Sequence, residues 1–172
     1  MDIRRRSMLL SEGGVIYYTS SDNKIVTPYK TDVFGANITN NVYINGQGII
    51  SFDGPITTIG NEAFQNCRSL TSVNIPDSVT SIGSYAFYYC TSLTSITIPD
   101  SVTSIGDGAF YRCTSLTEVY CKAKTPPALG GTSVFDNNGS GRKIYVPTGS
   151  VNAYKRATRW DEYASAIVGY NF

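Results

Sequence analysis

The sequence contains no histidine among its 172 residues. Histidine is the usual general base near neutral pH, the common partner of a nucleophilic serine or cysteine, and the commonest metal ligand. Its absence argues against an enzyme that uses such groups. We therefore expect a protein without catalytic residues, metal sites or cofactors.

Charged residues are also sparse, at 16% of the chain, and 14 Lys and Arg nearly balance 13 Asp and Glu. This balance provides no general attraction to nucleic acid or to an anionic membrane. The polar surface must come largely from neutral side chains and from the 13 tyrosines. We therefore expect no nucleic-acid partner, and local recognition through neutral hydrogen bonds and aromatic faces.

Long hydrophobic runs are missing as well. No segment approaches the ~18 apolar residues of a membrane helix. Three arginines at 4–6 resemble the start of a signal peptide, but only residues 8–10 follow as an apolar stretch. A signal peptide needs ~7–15 apolar residues there. We therefore predict a soluble chain without an export signal or membrane insertion, and with a flexible N-terminus at 1–12.

An internal repeat of 23 residues dominates the rest of the sequence. Residues 56–75, 79–98 and 102–121 read ITTIGNEAFQNCRSLTSVNI, VTSIGSYAFYYCTSLTSITI and VTSIGDGAFYRCTSLTEVYC. In a repeat protein each unit buries its apolar side against its neighbours, so positions that stay apolar identify the core. These positions form six ladders: Ile59, Ile82 and Ile105; Ala63, Ala86 and Ala109; Phe64, Phe87 and Phe110; Leu70, Leu93 and Leu116; Val73, Ile96 and Val119; and Ile75, Ile98 and Cys121.

Each repeat carries the signature of one short strand. Leu93, Ile96 and Ile98 follow an LxxLxL-like spacing whose last part alternates inward and outward as a strand does. The pattern predicts parallel strands near 72–75, 95–98 and 118–121. Pro76 and Pro99 cannot donate a ladder hydrogen bond and should end the pairing.

The other side of each repeat has a different spacing. Ala86, Phe87 and Cys90 lie at positions i, i+1 and i+4, which suits one or two helical turns. Gly83 and its equivalents allow a tight bend before this segment. We therefore predict short helical turns opposite the strands.

The repeats resemble bacterial leucine-rich repeats of the BspA-like surface-antigen type, whose motif is IPxSVTxIGxxAFxxCxSLTxI. Residues 75–97, IPDSVTSIGSYAFYYCTSLTSIT, match it almost throughout. The C-terminal IYVPTGSVNAYKRATRWDEYA is similar to the closing segment of such proteins from Bacteroidetes and their phages. The resemblance implies a protein that is exposed at the cell surface, secreted or associated with a phage. The predicted fold is an α/β, right-handed leucine-rich-repeat solenoid with strands on its concave face and helical turns on its convex face.

The solenoid should span residues 49–147. Ile50 and Phe52 occupy the register of the strand residues Val73 and Ile75, so 49–53 should supply a first strand. The last repeat, at about 121–147, is degenerate, with Phe135 filling the aromatic ladder.

Caps are predicted at both ends. Residues 13–48 contain two β-rich runs around residues 20–23, a hairpin signal, and are interpreted as an N-terminal β-cap. Residues 148–172 are interpreted as a C-terminal helical cap, in which Ser150 caps a helix from Val151 to about Arg159. An apolar stripe of Trp160, Tyr163, Ala164 and Ile167 would continue the cap.

Three cysteines share one repeat position. Cys67, Cys90 and Cys113 should stack inside the turns, with Cys121 on a strand ladder. A column of buried free thiols is the favoured interpretation, because free cysteine packs like a small hydrophobe. Disulfides between neighbours, whose rungs are ~4.8 Å apart, and a zinc site remain alternatives.

The outward strand residues form the candidate binding site. Such solenoids commonly bind on their concave side, and tyrosine offers a large contact area at low entropic cost. The alternative is a solvated surface without a partner. The candidate ligand-binding residues are Asn74, Thr97, Glu118, Tyr120, Lys143 and Tyr145.

A second aromatic group lies on the convex turns. Tyr88, Tyr89, Tyr111 and Arg112 occupy outward positions there. Partial burial against the adjacent repeat is the simpler interpretation. Stacking on sugars or packing on a second copy is the alternative.

The sequence therefore favours a non-enzymatic binding or adhesion module that recognises a protein or glycan through its concave strand face. The second hypothesis is a structural or assembly protein, intracellular or phage-particle-associated, with self-association. An enzyme is the third, and it would require an unexpected deep pocket lined with carboxylates.

Overall fold

A computed structural model describes residues 13–172 of the chain. The predicted flexible terminus at 1–12, with its arginines, lies outside the described residues. The strands are β1 (Val15–Ser20), β2 (Ile38–Ile44), β3 (Gln47–Phe52), β4 (Thr58–Ile59), β5 (Leu70–Val73), β6 (Ser81–Ile82), β7 (Ser95–Ile98), β8 (Ser104–Ile105), β9 (Glu118–Cys121), β10 (Ala128–Leu129), β11 (Lys143–Pro147) and β12 (Ile167–Tyr170). Helix α1 (Val151–Arg156) lies between two 3₁₀ helices at Thr148–Ser150 and Asp161–Ala166.

Eight of the strands form two parallel sheets whose strands succeed one another roughly once per repeat. In the sheet ordered β7, β9, β11, β12, Ser95 pairs with Glu118 and Glu118 with Lys143. In the sheet ordered β4, β6, β8, β10, each strand has two residues, and Ser81 pairs with Ser104. The predicted strands at 95–98 and 118–121 are confirmed as β7 and β9. The strand predicted at 72–75 lies two residues earlier, as β5.

The predicted apolar ladders form the core, and all of their members are buried. The phenylalanine ladder is the most regular, because Phe64, Phe87, Phe110 and Phe135 stack almost in parallel. Their successive ring centroids are 5.4, 5.2 and 5.5 Å apart. The predicted role of Phe135 is therefore confirmed, and Trp160 continues the column at 5.7 Å.

The turns opposite β7 and β9 are not helical, and this part of the prediction was wrong. The amides of Ala86 and Tyr88 donate to carbonyls three residues earlier. The alternating amides of Tyr85, Phe87 and Tyr89 donate instead to carbonyls of the next repeat. Tyr85 and Tyr89 have φ values of 57° and 60°, outside the helical region. Bonding between repeats therefore replaces the bonding within a helix.

The N-terminal segment is rich in β-structure but arranged differently from the prediction. Strand β3 contains Ile50 and Phe52, yet it does not pair with the next repeat. Strand β1 lies between β3 and β5 and is antiparallel to both, with Ile16 opposite Ile50 and Tyr18 opposite Val73. The repeat register is thus interrupted at its first step.

The hairpin in this segment also lies elsewhere. The predicted hairpin around residues 20–23 is wrong, because residues 25–29 form no strand. The hairpin joins β2 to β3 through Asn45 and Gly46, whose φ values are 51° and 81°. Two positive φ values in a two-residue loop are the geometry of a type I′ turn, for which Asn-Gly is the preferred sequence.

The C-terminal segment is only partly helical. Helix α1 begins at Val151 as predicted but ends at Arg156, and the Ser150 side chain makes no capping hydrogen bond. Ile167, predicted to belong to a helical stripe, instead begins β12, where it pairs in parallel with Ile144 of β11. The segment predicted as a helical cap thus contains a further strand, β12, which extends the sheet.

Candidate binding surfaces

The solvent side of the sheet β7, β9, β11, β12 carries most of the predicted site. Side chains alternate along these strands, so Val119 and Ile144 point into the core while their neighbours point outward. We call this surface the strand face. It consists of Thr97, Glu118, Tyr120, Lys143, Tyr145, Val168, Tyr170 and Phe172.

Four aromatic rings lie together on the strand face. Tyr120 and Tyr145 are partners across β9 and β11, and their rings stack with centroids 4.7 Å apart. Tyr170 of β12 packs edge-on against both, at 5.5 and 5.6 Å. Phe172 contacts Tyr170 at 4.9 Å. Because Tyr170 and Phe172 are 43% and 50% exposed, the cluster offers apolar area to a partner.

Two opposite charges flank this aromatic cluster. Glu118 and Lys143 are partners across β9 and β11, and both are exposed. They form no ion pair, since the one such pair between residues of 13–172 joins Lys30 to Glu62 at 3.0 Å. Desolvation and the nearby Glu118 carboxylate raise the pKa of Tyr120 above its usual value. The face thus combines the exposed cation of Lys143 with a tyrosine hydroxyl and a carboxylate that interact with each other.

The structure brings five of the six predicted site residues to this sheet. The sixth, Asn74, lies beyond β5 at the repeat position equivalent to Thr97. The Asn74 side-chain oxygen accepts a hydrogen bond from the Tyr17 backbone amide at 2.5 Å. The Asn74 backbone amide donates to the Tyr17 carbonyl at 2.9 Å. The Asn74 carboxamide therefore ties the N-terminal strand to the repeats.

Sequence reasoning missed the contribution of β12. Tyr170 and Phe172 lie in the segment 148–172 that is predicted as a helical cap, and this prediction gives them no place on the strand face. The run Ile167, Val168, Gly169, Tyr170 contains β-branched and aromatic residues that favour a strand. That signal indicated a strand after the helix.

A second aromatic surface lies on the non-helical turns of the repeats. We call it the turn face. It consists of Arg68, Tyr85, Tyr88, Tyr89, Tyr111 and Arg112. Tyr88 is its centre, stacked on Tyr111 at 5.7 Å and edge-on to Tyr89 at 4.7 Å. The predicted partial burial of Tyr88, Tyr89 and Tyr111 is confirmed, whereas Arg112 is exposed.

The four cysteines are buried and unpaired, which confirms the favoured interpretation over a disulfide. The Cys90 thiol donates to the Phe64 carbonyl at 3.1 Å, and the Cys113 thiol to the Phe87 carbonyl at 3.0 Å. Burial raises the pKa of Cys67 and of Cys113 to about 12. The thiols therefore link neighbouring repeats, with little thiolate available for chemistry.

We expect these thiols to react slowly with iodoacetamide in the folded protein. At pH 8, a pKa of about 12 in place of 9 lowers the thiolate fraction by about 1,000-fold. Cys67, at 8% exposure, should react first, and the rate should rise with pH. Mass spectrometry of labelled peptides measures the order. Guanidinium-unfolded protein is the control and should expose all four thiols. The assignment would be contradicted if fewer than four thiols were labelled in the unfolded protein. It would also be contradicted if the thiols of the native protein reacted at rates within tenfold of those in the unfolded protein.

Two surface cavities contain no residue of the strand face or of the turn face in their linings. One of about 460 Å³ is lined by Asp100, Thr103, Lys122, Lys124 and adjacent residues. Another of about 420 Å³ lies beside Arg142, whose guanidinium packs over the Tyr163 ring at 5.1 Å. Within residues 13–172 no cluster of three or more potential ligands could hold a metal ion. No helix in that range has the length and apolar character of a membrane span.

The repeated parallel strands and the apolar ladders define a leucine-rich repeat protein, a class of repeat scaffold that is typically non-enzymatic and that commonly mediates interactions. Residues 36–157 match the family described as BspA type leucine rich repeat region, in six copies. The chain belongs to this family. The match confirms the resemblance seen in the repeats, and it extends into the β-rich N-terminal segment.

Two solved leucine-rich repeat proteins from Bacteroides are similar to the chain. The one from Bacteroides ovatus ATCC 8483 is 26% identical with a TM-score of 0.49, over 69% of this chain and 29% of that one. The one from Bacteroides capillosus ATCC 29799 is 27% identical with a TM-score of 0.46, over 79% of this chain and 99% of that one. The chain thus spans less than a third of the Bacteroides ovatus protein. No curated protein matches the chain.

Proposed function

We propose that this protein is a non-enzymatic binding module that recognises a protein or glycan through the strand face. The observation that carries the proposal is the contiguous cluster of Tyr120, Tyr145 and Tyr170 on neighbouring strands, with Phe172 just beyond the last of them. Aromatic residues, tyrosine above all, supply much of the energy in binding surfaces because they bury a large area with few rotatable bonds.

The flanking charges support the same proposal. Glu118 and Lys143 are exposed beside the aromatic cluster, and neither belongs to the ion pair found within residues 13–172. Charges at the rim of an interface set orientation and association rate more than affinity. A partner would therefore bury the tyrosines and place complementary polar groups on the two charges.

We further infer that the repeats wind as a right-handed solenoid with the strand face on its concave side. The inference is supported by the regular parallel register of β7, β9 and β11. The connection between two neighbouring parallel strands of one sheet is nearly always right-handed. In this arrangement β1 to β3 cap one end, and the segment with α1 and β12 caps the other. Exposure at a cell surface, secretion or association with a phage particle would suit an adhesive role.

The test is an array of extracellular-matrix proteins and glycans probed with wild type and with a Tyr120→Ala/Tyr145→Ala variant. We expect wild type to bind at least one member and the variant to bind it at least about tenfold more weakly, since hot-spot tyrosines contribute roughly 1.4 kcal/mol or more. Biolayer interferometry measures both affinities.

The control removes two tyrosines elsewhere. Tyr17→Ala/Tyr29→Ala replaces residues that are 43% and 59% exposed outside the strand face, and it should bind as wild type does. Equal binding by the strand-face variant would overturn the assignment of the site. No binding to any array member would count against the module itself.

A structural or assembly role is the second candidate. The observation that favours it is the position of β12 at the edge of its sheet, with Val168 and Tyr170 exposed. An edge strand presents unpaired amides and carbonyls that another chain can use. Concentration-dependent growth in sedimentation velocity, together with no binding on the array, would favour this role.

A further inference from the structure

The turn face contains two cations without an anionic partner. Arg68 and Arg112 are both exposed, and neither belongs to the one ion pair found within residues 13–172. The Arg112 guanidinium donates to the Tyr89 hydroxyl and lies 5.5 Å from the Tyr111 ring centroid. Arg68 lies 5.5 Å from the Tyr89 ring centroid. Tyrosine rings thus position both guanidiniums while leaving their charge unneutralised.

The tyrosines beside these cations form a rigid surface. Tyr88 packs edge-on against Tyr85 at 5.6 Å and against Tyr89 at 4.7 Å, and it stacks on Tyr111. Because consecutive repeats are bonded amide to carbonyl at Tyr85, Phe87 and Tyr89, the backbone under these rings is fixed. The surface is therefore organised before a ligand arrives, which lowers the entropic cost of binding.

Tyr85 is the exposed edge of this surface. Its ring rests against Gly108, where an added Cβ would lie 2.6 Å from the Tyr85 Cε1 atom. Tyr85 is 40% exposed, whereas Tyr88, Tyr89 and Tyr111 are half-buried. Glycine at 108 therefore leaves room for one edge of the Tyr85 ring against the neighbouring repeat, and the exposed part of the ring is available to a ligand.

We propose that the turn face is a binding site for an acidic polysaccharide containing uronic acid residues. The sugar ring packs on Tyr85, because the C–H groups of a pyranose contact an aromatic face by dispersion and by burial of apolar area. The ring carboxylate pairs with Arg112 or Arg68, whose planar guanidinium matches a carboxylate in two parallel hydrogen bonds. The tyrosine hydroxyls add donors for the sugar oxygens. This site is separate from the strand face.

The charge and the rings together select this ligand. An acidic peptide would satisfy the guanidiniums but has no need of the aromatic platform. A neutral glycan would use the platform and leave two unpaired cations beside it. A uronic acid polymer carries both a ring and a carboxylate in every acidic unit.

The test uses three matched probes in calorimetric titrations at low and at physiological salt. They are hexagalacturonate, its methyl ester, which keeps the sugar rings and lacks the charge, and hexaglutamate, which keeps the charge and lacks the rings. We expect hexagalacturonate to bind at least about tenfold more tightly than either, with weakening as salt screens the exposed charges.

Variants locate the site. Arg68→Gln/Arg112→Gln should weaken hexagalacturonate binding by about tenfold or more. Tyr85→Gly, which suits the positive φ of 57° at that position, should do likewise. Lys155→Gln/Arg156→Gln removes two exposed cations on α1 and is the matched control. Tyr120→Ala/Tyr145→Ala distinguishes binding at the strand face from binding at the turn face. Circular dichroism confirms that each variant folds.

The proposal is overturned if hexagalacturonate does not bind, if its methyl ester or hexaglutamate binds equally well, or if the Lys155/Arg156 control loses as much binding as the turn-face variants. Loss in the strand-face variant alone would assign acidic glycan binding to the other surface. Retained binding in that variant, with loss in the turn-face variants, supports the proposal even if the strand face binds nothing.

Discussion

Phe87→Ala is expected to lower the free energy of unfolding by about 3–5 kcal/mol, the range for truncating a buried phenylalanine. Phe87 is fully buried and stacks between Phe64 and Phe110 at 5.4 and 5.2 Å. Its removal leaves a cavity flanked by two rings that are held by their own repeats. Since each repeat contacts only its neighbours, these contacts couple the two halves of the protein.

Loss of coupling between the two halves of the protein can be detected by comparing two probes of unfolding. Trp160 is the only tryptophan and is 1% exposed near the C-terminal end, so its fluorescence reports that end. Far-UV circular dichroism reports the whole chain. In urea, the unfolding transition followed by Trp160 fluorescence should coincide with the transition followed by circular dichroism for wild type. The two transitions should separate for Phe87→Ala.

Phe172→Ala is the matched control, because it deletes the same group from a side chain that is 50% exposed. It should change stability by less than about 1 kcal/mol. A loss below about 1.5 kcal/mol for Phe87→Ala, with coincident transitions, would mean that the ladder relaxes around the gap and does not couple the repeats.

The core could be predicted from the sequence because the repeat supplies its own alignment. Three copies in register show which positions stay apolar, and a repeat can bury only those positions. The repeat predicts that Leu93, Ile96 and Phe87 lie in the core, and all three are buried. The strands β7 and β9 followed from the alternation of their side chains.

The turns could not be predicted in the same way. The spacing of Ala86, Phe87 and Cys90 fits a helix, but periodicity records only which side chains are buried. It contains no information on whether an amide bonds within its own repeat or to the next. The positive φ values at Tyr85 and Tyr89 settle that choice, and neither residue type signals such a backbone.

The positions of the strands at both ends of the repeat region could not be predicted, for a related reason. The placement of β1 between β3 and β5, and of β12 beside β11, depends on contacts between segments far apart in sequence. Neither segment carries the repeat motif that identified the other strands. As a result, the sequence located Tyr120 and Tyr145 but left out Tyr170, which joins them through β12.

The outward positions explain how one repeat can form two different surfaces. Tyr89 and Arg112 occupy the same repeat position on the turn face, as Thr97 and Tyr120 do on the strand face. Their neighbours Phe87 and Phe110 are fixed by the core, so these outward side chains can differ without cost to packing. We therefore expect substitutions at outward positions to change binding and substitutions at ladder positions to change stability.

Gly106→Ala is expected to destabilise the fold by about 3 kcal/mol, the upper end of the range for overpacking. An added Cβ would lie 2.5 Å from the Gly83 carbonyl carbon and 2.7 Å from the Ser84 Cα. Both are backbone atoms, which cannot rotate away as a side chain would. A Cβ added at either of the equivalent positions, Gly60 and Gly83, would likewise lie close to backbone atoms of an earlier segment of the chain. Glycine at this position therefore sets how closely successive repeats stack.

Gly149→Ala is the control for this substitution. Gly149 lies in the first 3₁₀ helix, nothing would contact its added Cβ within 4 Å, and its φ is not positive. Alanine there should be neutral or stabilising by up to about 1 kcal/mol, because it restricts the unfolded chain. Urea denaturation of both variants measures the difference. If Gly106→Ala is as stable as Gly149→Ala, the repeats can separate at little cost, and the close backbone contact is not what holds their spacing.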